Sequence, residues 1–484
     1  MWARVREFAV PPTMINLATT RRAVGDLAGA CAAAHVDVDI DLGALARGHG
    51  RELVARVHDD LRHLAPDLLR WHLPRVAPDG LLRPGLTMTL ARYPSESPGA
   101  GQGFVHLVVR TAPAWADAGQ RVSLAVWDGG TGATHSHPHP RPNRRYRLDL
   151  HRHLWDARRA GELARRCGGL STLIGPSAAT EFVAGETAES FADPVPAHCA
   201  VERWAEEAAL LLSAERGTSH TDAALVAVRL GARRQRVIEV VRQPPASSPG
   251  AVPPGQGRTP APRFVADYPR GALTALPILP DAATWTLPDL ELLRAGAITV
   301  DRLHPLVAES LAPDGTRPLT RSGNAPRQAH IVECRGEVHR IGVVNGVLSA
   351  LDHDPAEIRR EELLVALTGV ALPCLRVIDE AHRRPDWISG VRERLDHGDT
   401  EGALAVVEGL LGTGAELRDG PLRDALAAAA DRRVTYGRYR SETATHDAPR
   451  HVADRLRRAG LRYGHDRKLL QRLARHENRR RVVS

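Results

Sequence analysis

The sequence predicts an α+β chain. It has N-terminal helices beside a small, mainly antiparallel sheet, a Pro-rich linker, and a second domain of helices plus a three-strand meander. Three observations predict this. Runs of β-branched or alternating apolar residues recur at 86–93, 104–111 and 121–127, with Gly, Pro and Asp between them. Residues 243–262, QPPASSPGAVPPGQGRTPAP, are too polar and stiff to pack, and they divide the chain near its middle. Residues 329–384 then read as three strands and two helices. The expected parts are a helical hairpin with a small sheet over 1–166, a helical region over 167–242, and the linker. An α+β domain over 263–431 and a basic tail over 432–484 follow.

In chain order, residues 16–34 form a helical hairpin broken at Gly25-Asp26, where Gly ends one helix and Asp caps the next. Residues 42–75 continue helical, with Leu68, Leu69, Trp71 and Leu73 as core. The acidic run His58-Asp59-Asp60-Leu61-Arg62-His63 lacks the HExxH order and reads as a solvated helix face. Beyond the three strands, a fourth is expected at 146–150. Helices are expected over 154–166, 201–215 and 222–242. After the linker come a helix over 287–294, a stop at Gly296, and a helix over 301–311 capped by Asp301. Asp301 and Glu309 make that last helix a poor DNA-recognition surface.

The stretch 329–384 is the best specified. Arg335-Gly336 makes one turn, and Asn345-Gly346 makes a two-residue turn requiring positive φ at both positions. His339, Ile341 and Val343 alternate onto one face. Asp354-Pro355-Ala356-Glu357 is a capping box that opens a helix to about Thr368, with apolar residues on both sides, so the helix is expected mostly buried. A second helix is expected over 373–383. Residues 391–411 then repeat the early turn: Gly398, Asp399, Gly402 and Ala403 match Gly25, Asp26, Gly29 and Ala30. Tetratricopeptide-like hairpins resemble this, but two distant copies make no solenoid, and a common αα turn is the simpler reading. A helix over 422–433 leads into the tail.

Composition excludes several function classes. With 484 residues and 43% apolar content the chain can bury real cores, and 4% aromatic content leaves them to Leu, Val and Ala. No apolar run is long enough to span a membrane and the first residues lack the apolar core of a secretion signal, so a cytoplasmic protein is expected. Five cysteines, odd in number and far apart, predict reduced thiols. Lys468 is the single lysine, so Gly129-Gly130-Thr131-Gly132 cannot be a phosphate loop, and a pyridoxal Schiff base has no lysine in a folded pocket. The net charge is +8, but residues 432–484 alone carry 15 Arg and one Lys against five acids. The basicity therefore belongs to the tail. Arg457, Arg458, Arg479, Arg480 and Arg481 are the candidate contacts to an anionic partner such as nucleic acid. Tyr436, Tyr439 and Tyr463 offer little base stacking.

No complete catalytic motif occurs. His135, His137, His139, His151 and His153 are numerous enough to hold a metal, but three lie in a Pro-rich loop without an acidic second shell. Cys334, His339, Asp352, His353 and Asp354 fit no standard zinc spacing. Gly169-Leu170-Ser171-Thr172-Leu173 fails the nucleophile-elbow pattern. No catalytic, metal or cofactor-binding residue is assigned, and no cofactor is expected.

Four runs resemble an uncharacterised actinomycete protein family. They are GDLAGACAAAHVDVDIDL at 25–42, DDLRHLAPDLLRWHLPR at 59–75, RHLWDARRA at 152–160, and residues 336–379. Similar sequences lie beside MoxR-type AAA+ ATPases and proteins with von Willebrand factor A domains. The resemblance implies a third component working with such partners, and it carries no site residues. Three functions are thus expected in this order: a non-enzymatic adaptor or protein-binding component of an ATPase-associated assembly; a nucleic-acid-associated protein acting through the tail; and a metal-dependent hydrolase.

Overall fold

The computed structural model of the chain describes residues 1–94, 103–129, 137–167, 195–216, 223–231, 234–241, 263–265, 268–312, 330–334, 337–344, 347–350, 354–368, 373, 375, 386–411 and 419–441. The fold is α+β, as the sequence predicts. It divides into two compact units: residues 1–111 with 122–318, and residues 112–121 with 319–484. Among the described residues, no helix is long and apolar enough to cross a membrane.

The first unit opens with the predicted hairpin, helices Pro12–Ala23 and Leu27–Ala33. Gly25 takes φ +76°, the left-handed region that glycine enters without a Cβ clash. The Gly25 amide then reaches the Arg22 carbonyl and the Asp26 amide the Arg21 carbonyl, both at 3.0 Å, which closes the first helix. The Asp26 carboxylate accepts from the Gly29 amide at 2.8 Å and opens the second. Helices Leu42–His49, Arg51–Arg62 and Pro66–His72 follow. Leu68, Leu69, Trp71 and Leu73 are core, as expected.

Strands β1 (Val36–Asp39), β4 (Thr87–Pro94), β5 (Phe104–Thr111) and β6 (Val122–Trp127) form a sheet in the order β1-β6-β5-β4. Three of these strands match the sequence expectation. β1 was not expected, and it pairs parallel to β6, so the sheet is mixed. One face, carrying Met88, Val105, Leu107, Val109, Val122 and Leu124, packs into the large core. That core also takes in Leu287, Leu290, Leu303 and Val307 from helices Pro288–Arg294 and Pro305–Leu311 and their flanks. A short hairpin, β2 (Arg75–Val76) with β3 (Leu81–Leu82), sits between helix and sheet in the chain.

The second core of this unit surrounds Trp204, Leu211, Val226, Val228, Ile238 and Leu279. It joins helix Trp204–Arg216 to an antiparallel sheet of β7 (Ala223–Arg229), β8 (Gln235–Val241) and β9 (Arg263–Val265). Here the sequence expectation of a helix over 222–242 is overturned. ALVAVR and RVIEVV alternate β-branched residues, and Val226, Val228, Ile238 and Val240 bury one side of each strand. Residues 146–150 form no strand. Arg147 makes a single bridge to Thr89, and Leu148–Leu150 is a 3-10 turn. The helix expected over 154–166 is instead 3-10 turns ending in helix Leu163–Cys167, because the buried Asp156 side chain caps the Arg158 amide at 3.0 Å and interrupts the ladder. Helix Pro305–Leu311 is capped by the His304 ring, not Asp301.

In the second unit the predicted meander is present: β10 (His330–Cys334), β11 (Glu337–Val344) and β12 (Val347–Ala350) pair antiparallel in that order. Its two turns lie outside the described residues. Asp354 caps helix Pro355–Thr368 by accepting from the Ala356 amide at 3.0 Å. Leu363, expected in a buried helix, is 64% exposed, so this helix keeps an open side. The helix expected over 373–383 lies mostly outside the described residues. Helices Asp386–His397, Thr400–Leu411 and Pro421–Arg440 share a small core of Val391, Leu395, Ala403, Val407 and Ala429. The last of them runs past its expected end at Arg433. Residues 112–121 pack on it, with Trp115 edge-on to Tyr439 at 5.4 Å.

The second hairpin reproduces the first atom for atom. Gly398 takes φ +88°, and the Asp399 amide reaches the Arg394 carbonyl at 2.8 Å. The Asp399 carboxylate accepts from the Gly402 amide at 2.9 Å. An arginine five residues before each Asp donates to it, Arg21 at 3.3 Å and Arg394 at 2.6 Å. A Cβ at Gly29 or Gly402 would strike the capping carboxylate, which explains the second Gly of the motif. Ala30 and Ala403 are both fully buried.

Candidate functional site

The sheet of the first unit turns its other face to a layer of polar side chains. Directly paired residues share a face. Arg92 of β4, His106 of β5 and Trp127 of β6 are in register and form one row across three strands. The His106 ring meets Trp127 edge-on at 5.2 Å, and its Nδ1 lies 3.2 Å from the Thr89 hydroxyl. Burial, aided by Arg92, lowers its pKa to about 4, so the ring is neutral. The Arg92 guanidinium lies over Phe104 at 4.1 Å. Arg147 approaches the same region. It grips Asp149 through two bonds of 2.8 Å and pairs with Glu215, which also lies 3.8 Å from Arg92.

At the other end of this face, His137 is 5% exposed. Its Nε2 donates to the Thr111 carbonyl at 3.0 Å and its Nδ1 accepts from the His139 amide at 3.2 Å. Thr87 reaches the His139 carbonyl at 2.6 Å. These bonds fix the neutral Nε2–H tautomer, and burial lowers the His137 pKa to about 4.

A second cluster holds a thiol and a base. His153 Nε2 is 3.7 Å from Cys167 Sγ, and the His151 ring lies 5.9 Å from that of His153. His151 faces two acceptors, the Arg147 carbonyl at 3.0 Å and Glu207 at 3.0 Å. Arg166 clamps Glu207 with bonds of 2.8 and 2.6 Å. A Cys–His pair is the geometry of an activated nucleophile. The electrostatics here run the other way. Burial pushes the Cys167 thiol up, and burial with neighbouring His151 pushes His153 well down, so both groups are neutral. Glu207 is ionised: burial opposes its charge, but His151 and Arg166 bind it and hold its pKa far below the usual range.

The remaining buried charges act as fasteners. Asp60, expected on a solvated face, is 6% exposed and accepts from Tyr93 at 2.7 Å. Arg152 and Arg158 bridge it to fully buried Asp156. Burial raises the Asp156 pKa, but the bonds from Arg158 and Arg152 outweigh it and the net shift is down. Helix Pro66–His72 is the hub of a wider set. Asp67 meets His304 at 2.8 Å, Trp71 donates to Asp289 at 2.8 Å, and Arg70 reaches the Ala9 carbonyl at 3.1 Å. These bonds join residues up to 237 positions apart. Losing one partner of such a buried pair costs about 3–5 kcal/mol, because the other charge is left uncompensated.

The candidate residues from the sequence are dispersed. His137 is a structural latch, His139 is exposed, and His151 and His153 belong to the Glu207 cluster. Asp354 is a cap, and His339 is buried on β11. Arg457, Arg458, Arg479, Arg480, Arg481, His135, Asp352 and His353 lie outside the described residues. Among the described residues, no three His, Cys, Asp or Glu side chains converge to hold a metal ion. Sequence reasoning missed Arg92, His106, Trp127, Arg147 and Glu215. The polar His106 and Arg110 alternating with Val105, Leu107 and Val109 on β5 were the available signal. In comparisons with protein families, curated proteins and solved structures, the chain matches none.

Proposed function

We propose that the chain is a non-enzymatic adaptor, a protein-binding component of a bacterial ATPase-associated assembly. The observation that carries this reading is the use made of its charged and nucleophilic side chains. The Cys167–His153 pair is neutral, and Asp60, Asp67, Glu207 and Asp289 are each engaged by Arg, His or Trp partners from other segments. Such bonds hold distant segments in one arrangement, as a platform for a partner requires. The association with a MoxR-type ATPase or a von Willebrand factor A protein rests on the sequence resemblance. The test uses the purified full chain as bait in lysate of its own host, with nuclease present. Stoichiometric retention of an AAA+ ATPase or a von Willebrand factor A protein is expected. Retention of no protein at micromolar bait overturns the reading.

The charge concentrated in residues 432–484 favours a second reading, binding of nucleic acid through the tail. Its affinity for duplex DNA would fall steeply and log-linearly with salt. Absent or salt-independent binding removes it.

A further inference from the structure

We propose that Arg92 and Arg147 form a receptor for a carboxylate on an acidic peptide of the partner, and that Glu215 fills this receptor in the free chain. The inference rests on the adaptor reading and names the chemistry of the partner. Arg92 carries five N–H donors. None of them makes a hydrogen bond to a described residue, and its Nε is buried without a partner. Its side chain is 20% exposed and its guanidinium is stacked on Phe104, which holds the planar fork in place. Among the described residues the acid nearest to it is Glu215 at 3.8 Å, too far for a hydrogen bond.

Glu215 is well suited to being displaced. Its side chain is 37% exposed, against 8% for Arg147 and 9% for Asp149. It sits in the last turn of helix Trp204–Arg216, where the helix dipole disfavours a carboxylate. Charge selects the ligand. With Glu215 in place, Arg92 and Arg147 balance Glu215 and Asp149. With Glu215 swung out, one positive charge remains, which a single carboxylate neutralises. A phosphate dianion would overshoot and face Asp149. Phe104, 38% exposed, and half-buried Trp127 flank the site and suit the aliphatic stem of a glutamate or an apolar neighbour.

The experiment titrates the full chain against a fluorophore-labelled oligoglutamate peptide by anisotropy, with inorganic phosphate as competitor. Saturable binding is expected. Arg92→Gln weakens it by about tenfold or more, the weight of a charge-assisted fork. Glu215→Gln strengthens it by about two- to fivefold, since the internal competitor is worth one half-exposed ion pair. Phosphate at equal concentration leaves it unchanged. Glu215→Gln is a surface change, so it reads the site even if Arg92→Gln lowers folding. Unchanged affinity in both variants would place the peptide on the tail arginines and overturn the proposal. Equal competition by phosphate would also overturn it. If Arg92→Gln retains the lysate partner as well as the parent chain does, this site falls and the adaptor reading stands. If no partner is retained at all, the adaptor reading falls while the titration still reports on the site.

Discussion

Two copies of one turn in different surroundings give a controlled test of the structure. Gly25 and Gly398 have nearly the same conformation, φ +76° and +88°, and close the same pair of bonds. Replacing either with Ala forces a Cβ into the left-handed region, which costs about 1–2 kcal/mol. At Gly25 nothing lies within 4 Å of the new Cβ, so strain is the whole cost. At Gly398 the Cβ would run into the Gly119 carbonyl, and backbone must part to admit it. That overpacking adds about 1–3 kcal/mol. Gly25→Ala should therefore cost about 1–2 kcal/mol and Gly398→Ala about 2–5 kcal/mol. The assay is urea unfolding of the full chain, with amide hydrogen exchange at Gly29 and Gly402 reporting each turn separately, because two units need not unfold together. Asp26→Ala and Asp399→Ala are the internal control and should each cost about 1 kcal/mol, the usual worth of an N-cap. Equal costs for the two glycine variants would refute the close approach of residues 119 and 398.

Further predictions follow from the buried titratable groups. His137 and His106 have pKa values of about 4 in the folded chain and about 6.5 unfolded, so unfolding takes up protons between these limits. Stability is complete above pH 6.5 and is lost as pH falls toward 4. His137 contributes up to about 3 kcal/mol. A series of melting temperatures over that range should show the fall, and His137→Gln should flatten part of it; a flat parent profile contradicts the neutral latch. Cys31 and Cys199 are buried with pKa values pushed up to about 12, and the Cys167 thiol is likewise raised by burial. All three should resist alkylation in the native chain and react after denaturation, read by mass spectrometry. Prompt native labelling of Cys167 would revive it as a nucleophile. Glu207→Gln leaves part-buried Arg166 without its counter-charge and should cost up to about 3 kcal/mol in a urea melt. A cost under about 1 kcal/mol would mean the cluster is wetter than the geometry indicates.

Local rules carried the sequence reading where chemistry is local. Asp26, Asp354 and Asp399 were legible as caps, and Gly25 and Gly398 as stops, because the partners lie within a few residues. Strands β4, β5 and β6 and the meander β10–β12 were legible from alternation between turn residues. Residues 222–242 failed because a short apolar run reads equally as helix or strand, and only the pairing of β7 with β8 decides. β1 failed because four residues, Val-Asp-Val-Asp, gain their stability from a parallel partner 86 positions away. Asp60 looks like a surface acid until Arg152 and Arg158 are brought onto it. The row Arg92–His106–Trp127 has the same cause. Alternation along β5 puts His106 on the polar face, but its neighbours Arg92 and Trp127 follow only once three strands are in register.

The most direct test of the adaptor reading is co-purification from the native host, with nuclease, comparing the full chain with one ending at Ser441. The cut falls after helix Pro421–Arg440, whose Ala429 and Tyr436 are buried, so that helix is kept entire. Both forms should bring down the same ATPase-type partner in equal amount. Loss of the partner with the tail, or with nuclease, would contradict the adaptor reading and make the basic tail the functional element.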